Sequence, residues 1–112
     1  MKLTDKVRIL HLIEAATEAI SFLDDKSLED LYADRKLALA LIKEIEIIGE
    51  AASKISKKLH TEYSNIPWKE IIGMRNHLTH VYFDINYKMI WKTIKFDLPP
   101  LLQEMKKINV ED

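Results

Sequence analysis

Two glycines and three prolines in 112 residues leave the chain few places to make tight turns. A sheet protein of this size needs many such turns, so the scarcity points to long helices. The length is that of one domain, residues 1–112, with enough chain for one core and no separate cofactor domain. The opening "MKLTDKVRILHLIEAA" carries Asp5, Lys6, Arg8 and Glu14, which fits neither a signal peptide nor a membrane span. The expected location is therefore the cytoplasm, with no membrane partner. There is no cysteine, so a disulfide scaffold and a thiolate metal site are both excluded.

Spacing of apolar residues sets out the helices. Val7, Leu10, Ile13, Thr17 and Ile20 recur at three and four over residues 4–23, with Ile9, Leu12 and Ala16 widening the stripe and Thr4 as N-cap. "DDKS" interrupts it, and Ser27 with Asp30 forms a capping arrangement for a short turn. A second helix is expected from Asp34 to Leu59, with Leu37, Leu41, Ile45, Ile48, Ala52, Ile55 and Leu59 as its spine. Pro67 suits the first turn of a third helix, from Trp68 to Thr79 or His80. A fourth starts near Tyr87, capped by Asp84 or Asn86, and Pro99-Pro100 forces a kink or restart in it. Gly49 and Gly73 both lie inside helical patterns at a cost of about 1 kcal/mol each, which marks them as expected helix crossings. The fold class is all-α, an up-and-down bundle of four to five helices. Helices of about twenty-five residues span roughly 35–40 Å, and a bundle this small leaves an apolar strip that a dimer would cover.

The net charge of −1 is unlike that of a typical nucleic-acid binder, so such a role must rest on a local patch. One candidate gathers Lys69, Arg75, Lys88, Lys92 and Lys95 with His77 and His80, against only Glu70 and Asp84. The alternative is a solvated helix face. Inside that patch, "GMRNHLTHVYFD" places an arginine, an asparagine, two histidines and a tyrosine between apolar runs.

Arginine and histidine together form a minimal toolkit for cleaving RNA. A 2′-hydroxyl attacks the adjacent phosphorus and the 5′-oxygen leaves, so one group must take a proton and another must give one. Histidine titrates near the working pH, and arginine's fork matches two phosphoryl oxygens. Arg75 and His80 supply that pair. On an ideal helix they would be about 140° apart, so they converge only if the arginine wraps back, the helix loosens, or a second chain contributes its own pair. Asn76 and His80 would share a face. Arginine followed by histidine at this spacing is common by itself. His80 reads equally as a helix-terminal residue on free carbonyls. A zinc site at His77 and His80, completed by Asp84 or His60, is a rival with fewer ligands than zinc usually shows.

The ordered series "EIEIIGEAASKIS", "IPWKEIIGMRNHLTHVYFDINYKMIWKTIKFDLPPLL" closely resembles the HepT-like branch of the HEPN superfamily, over residues 35–102. The resemblance implies an all-α, HEPN-like bundle that forms a homodimer. It also implies a metal-independent ribonuclease acting as the toxin of a toxin–antitoxin pair. No cofactor and no metal are implied. The family's R-x4-H-x-Y motif falls on Arg75, His80 and Tyr82. Arg75 would stabilise the scissile phosphate, His80 would be the acid/base, and Asn76 would orient either of them. The partner would be an MntA-type nucleotidyltransferase antitoxin that attaches AMP to Tyr82, the tyrosine within the motif. RNA, either tRNA or mRNA, would be the substrate. His77 and Glu50 are accessory candidates, a second proton carrier and a carboxylate facing the cleft. Two other readings of the residues stay open: a HEPN binding module that pairs with a nucleotidyltransferase without cutting, and a plain helical interaction protein.

Overall fold

The computed structural model describes residues 1–80 and 84–110, with Thr79 and His80 described by backbone alone. It is the expected all-α bundle, cut into more segments than the apolar periodicity implies. The helices are α1 (Leu3–Leu23), α2 (Leu28–Tyr32), α3 (Arg35–Lys54), α4 (Lys57–Glu62), α5 (Trp68–Gly73), α6 (Tyr87–Lys92) and α7 (Leu98–Lys106). A 3-10 turn, Met74–His77, comes after α5, and a π-helical turn, Thr93–Asp97, joins α6 to α7. A minimal antiparallel ladder joins β1 (Thr79–His80) to β2 (Asp84–Ile85). Among the described residues no helix is long and apolar enough to cross a membrane.

α1 and α3 pack side by side and antiparallel, and form the spine of the molecule. α3 buries the expected stripe through Leu41, Ile45, Ile48 and Ala52, leaving only Leu37 half-buried at its start. α1 departs from expectation. It buries Ile9, Leu12, Ala16, Ala19 and Leu23, whereas Val7 and Leu10 stay 39% and 45% exposed. α1 carries two apolar stripes, and the one with Ala15, Ala16 and Ala19 won. Small side chains let α3 come close, and close packing outweighs the larger side chains of the other stripe. Thr4 is not the cap. Lys2 is, without a side-chain bond, and the first helical hydrogen bond runs from the Lys6 N–H to the Lys2 carbonyl at 3.0 Å.

The other caps agree with the sequence. The Ser27 hydroxyl accepts from the Asp30 N–H at 3.1 Å while the Asp30 carboxylate accepts from the Ser27 N–H at 2.8 Å, a complete capping box. Asp34 caps α3 by accepting from the Leu37 N–H at 3.0 Å. Asn86, one of the two expected caps, accepts from the Met89 N–H at 3.1 Å.

The apolar pattern predicts a helix running to Leu59, but α3 stops at Lys54. The cause lies at the far end of the chain. The Asp5 carboxylate accepts from the Ser56 N–H at 2.9 Å and from its hydroxyl at 2.6 Å, so that N–H leaves the helical ladder. Ser56 then caps α4, accepting from the Leu59 N–H. The Ala52 carbonyl, left by the break with only a long 3.4 Å bond from the Ile55 N–H, also lies 2.9 Å from His60 Nε2, which therefore carries the proton. The His60 ring stacks on Trp68 with centroids 4.5 Å apart, and the indole N–H donates to the Tyr63 carbonyl at 3.1 Å. Burial works to raise the Asp5 carboxyl, but the two Ser56 hydrogen bonds, with Lys2 and His60 nearby, bring it below its ordinary value.

Gly49 is a true crossing: a Cβ there would sit 3.2 Å from the Ile72 carbonyl oxygen and 3.4 Å from that of Ile71. Gly73 is not one, because among the described residues a Cβ there meets nothing within 4 Å. The double proline restarts the last helix. Pro99 and Pro100 occupy the first turn of α7, where missing N–H groups cost least, and the Leu98 N–H reaches back five residues to the Thr93 carbonyl.

Candidate functional site

The polar segment sits where α5 gives way. α5 ends at Gly73, and Met74–His77 tighten into the 3-10 turn. Asn76, His77 and Thr79 are weak helix formers, and Thr79 and Val81 are β-branched, so the helix has little reason to continue. The expectation of one α-helix through Thr79 or His80 is therefore corrected. Asn76 and His80 do not share a helix face, and the 140° separation of Arg75 and His80 does not apply.

Leu78 pins the segment. It is fully buried, its N–H donates to the Arg75 carbonyl at 3.1 Å, and its carbonyl accepts from the Asn86 N–H at 2.8 Å. Arg75, Asn76 and His77 on one side of it are exposed. On the other side the chain is extended, and His80 pairs with Asp84 across the ladder. The anchored leucine holds the 3-10 turn in place without burying Arg75, Asn76 or His77 beside it. Tyr82 lies outside the described residues, as does the side chain of His80.

Arg75 faces α3. Its Nε lies 3.7 Å from Glu46 Oε1, with both side chains about half or one-third exposed. Such a pair contributes at most about 1 kcal/mol to stability. Its effect is orientation, since one edge of the guanidinium is occupied and, among the described residues, no carboxylate pairs with the other. Glu50, the carboxylate singled out from sequence, is one turn further along α3 and engaged elsewhere. Its Oε1 lies 2.9 Å from Lys54 Nζ, and that hydrogen bond leads the effects that lower its pKa. Glu46 is the acid that sequence reasoning missed. The signal was Gly49: if that glycine touches the end of α5, the residue three earlier on α3 faces the turn into which α5 runs.

Asn76 and His77 turn the other way. They line a groove of about 780 Å³ together with Met74, Met89, Lys92 and Leu101. Arg75 and Asn76, adjacent in sequence, therefore serve different sides of the turn. The basic patch is also divided. Lys69 and Lys92 line the groove, with Lys92 bridged to Asp97 at 3.2 Å. Lys95 instead donates to the Leu23 carbonyl at 2.9 Å and lies over the Trp91 ring. His60, suggested as a third metal ligand, is taken up by Ala52 and Trp68. Among the described residues no group of three or more His, Asp or Glu is placed so that it could hold a metal ion.

The resulting arrangement is an exposed, half-neutralised arginine, a histidine five residues on, and a rigid buried anchor between them. It can bind an anionic group at Arg75.

Comparison with known proteins adds to this geometry. Residues 12–108 match the family model described as "Ribonuclease HepT-like". The chain is 39% identical over 110 residues to "Probable ribonuclease HepT" of Thermococcus cleftensis, covering 96% of this chain and 92% of that one. It is 37% identical over 105 residues to "Putative RNase TTE0752" of Caldanaerobacter subterraneus subsp. tengcongensis, covering 94% of each. It is 35% identical over 101 residues to "Putative RNase MJ1380" of Methanocaldococcus jannaschii, covering 90% and 93%. No solved structure matches it.

Proposed function

Because the chain belongs to the HepT-like ribonuclease family of the HEPN superfamily, we propose that it is a metal-independent endoribonuclease toxin whose cleavage centre is Arg75 with His80. The observation that carries this reading is the common placement of the two residues. Both belong to one short segment that Leu78 anchors, in a chain aligned with ribonucleases over most of its length. Arg75, steered by Glu46, takes the phosphoryl oxygens as they gain charge. His80 moves the proton of the attacking 2′-hydroxyl or of the leaving 5′-oxygen. The P–O5′ bond breaks as the 2′-oxygen bonds to phosphorus, giving a 2′,3′-cyclic phosphate and a free 5′-hydroxyl. The substrate is cellular RNA, tRNA or mRNA, and the working unit is a homodimer.

Silencing belongs to the same reading. An MntA-type nucleotidyltransferase antitoxin would use ATP to attach AMP to Tyr82, with the tyrosyl oxygen attacking the α-phosphorus and pyrophosphate leaving. The added phosphate would compete for Arg75 and crowd the RNA path.

The test is cleavage of total cellular RNA in excess EDTA by the wild type, Arg75→Ala and His80→Ala. Cyclic-phosphate ends made by the wild type alone, with each variant reduced at least a hundredfold, are expected. Wild-type cleavage by His80→Ala would overturn the assignment. Intact mass after co-expression with the antitoxin, compared with Tyr82→Phe, tests the silencing step.

A further inference from the structure

Gly73 is a residue that the fold does not explain. It is the last residue of α5, where glycine is a poorer helix former than alanine. Its φ of −88° is open to any residue, so it does not end the helix in the left-handed conformation that favours glycine. No close crossing requires it either, because among the described residues a Cβ there meets nothing within 4 Å. Gly49 has the Ile72 carbonyl against it, whereas Gly73 has open space. That space belongs to the groove of about 780 Å³, which Gly73 itself lines. A glycine that neither its conformation nor its neighbours require leaves room for something from outside the chain.

The lining says what kind of group would fit. Ile71, Met74, Met89 and Leu101 give the groove an apolar character. The charges along it cancel, Lys69 and Lys92 against Glu70 and Asp97, and Lys92 Nζ already lies 3.2 Å from Asp97 Oδ2. Nothing there asks for a phosphate. The remaining polar groups are the Asn76 amide, a donor and an acceptor side by side, and the His77 ring, both on exposed residues. An apolar slot with an amide and a flat ring at its edge suits a nucleobase, which has apolar faces and a hydrogen-bonding rim. The thioethers of Met74 and Met89 also make favourable contacts with aromatic rings. Position agrees with chemistry. Asn76 follows Arg75 directly, and consecutive Cα atoms are about 3.8 Å apart. A strand whose phosphate lies at Arg75 therefore has a base within reach of the groove across the 3-10 turn.

We propose that this groove is a base-reading subsite for the RNA. It takes an unpaired nucleobase next to the scissile phosphate, with Gly73 leaving the room, Asn76 hydrogen-bonding the base edge and His77 stacking on its face. The proposal rests on the ribonuclease reading above and supplies what that reading lacks, a source of selectivity. Arg75 grips a phosphate alike in every sequence, whereas a contact to the base distinguishes one nucleotide from another. A base inside a duplex has its pairing edge and both faces occupied, so the substrate is single-stranded at the cut.

Fluorescence anisotropy tests it with probes that cannot be cut: end-labelled 2′-O-methyl pentanucleotides of A, C, G or U, and the same chain without bases. The wild type is expected to bind at least one base-bearing probe about tenfold or more tightly than the abasic one. Gly73→Phe, which fills the groove, is expected to bind base-bearing and abasic probes alike, with its fold checked by circular dichroism. His77→Ala, at an exposed position, is expected to lower the base preference at least about threefold. Arg75→Ala should weaken every probe by a similar factor. A wild type that binds the abasic chain as well as all four others, or binds none of them, would overturn the proposal. So would a folded Gly73→Phe that keeps its base preference, a result that would give the groove to a protein partner instead. If Gly73→Phe does not fold, His77→Ala decides, and an unchanged preference in it overturns the proposal. Cleavage of total RNA by the same samples reports separately: base preference without cutting would count against the ribonuclease reading and leave the groove assigned.

Discussion

Alanine at the chain's two glycines should act in opposite directions. Both replace glycine at helical positions, and both gain up to about 1 kcal/mol in helix propensity. At Gly73 nothing opposes that gain. Its φ of −88° is ordinary for any residue, and the new methyl meets no atom of the described residues within 4 Å. Gly73→Ala should therefore stabilise the protein by about 0.5–1 kcal/mol. At Gly49 the methyl would press on the Ile72 carbonyl oxygen at 3.2 Å and on that of Ile71 at 3.4 Å. These are backbone atoms of α5, not the ends of flexible side chains, so α5 as a whole must move. Overpacking of this kind costs about 1–3 kcal/mol, which exceeds the propensity gain. Gly49→Ala should come out destabilised by about 1 kcal/mol. The two variants then differ by roughly 1.5–2 kcal/mol, or about 6–10 °C in Tm. Urea denaturation monitored by circular dichroism measures both, with the slope unchanged and the midpoint moved. If Gly49→Ala proves as stable as Gly73→Ala, the α3–α5 contact is not what requires a glycine at position 49.

Three further outcomes are expected. Burial, with Glu18 and Glu14 alongside, makes the folded protein hold a proton on Glu44 up to about pH 7 that the unfolded chain releases near 4.5, so this group's stabilisation is full below 4.5 and is lost as pH rises through 7. Glu44→Gln should flatten that part of the stability–pH curve and gain on the order of 2 kcal/mol at pH 8 relative to wild type, read by urea titration at several pH values. Asp5 has the opposite sign: its lowered pKa stabilises the fold above the ordinary value of 3.8, and that contribution is lost as pH falls through the lowered folded value. Asp5→Asn should cost about 1–2 kcal/mol at pH 7 and soften the acid limb of the same curve, with hydrogen exchange rising first at Ser56. Glu46→Ala should leave stability within about 0.5 kcal/mol but lower kcat on RNA roughly three- to tenfold, because Arg75 loses its guide; an unchanged kcat would make the pair incidental.

What could be read from the chain depended on how local the controlling physics was. The capping box at Ser27 and Asp30, the Asn86 cap and the α3 stripe rest on neighbours three or four residues away, and each appears in the structure. The break at Ser56 rests on Asp5, 51 residues earlier, and no local pattern announces it. On α1 two stripes were available, and the choice depended on how closely α3 could approach the alanines. In the polar segment the residue types were legible but their directions were not. A 3-10 turn in place of an α-helix sends Asn76 and His77 into one groove and Arg75 toward Glu46. Glu50 was one turn away from the acid that meets Arg75.

The π-helical turn at Thr93–Asp97 also works as a register device. Ile90, Ile94, Leu98 and Leu102 are all buried, yet they stand four residues apart, a spacing that slips about 40° per step around an α-helix. The wider turn absorbs that slip, so that the stripes of α6 and α7 look the same way. The segment thus contains the equivalent of one inserted residue on which everything after it depends. Shortening it by one residue would leave each neighbouring helix intact and swing the apolar side of α7 by about 100°, away from α1. Point substitutions along residues 93–97 are therefore a smaller hazard to this fold than a single deletion there.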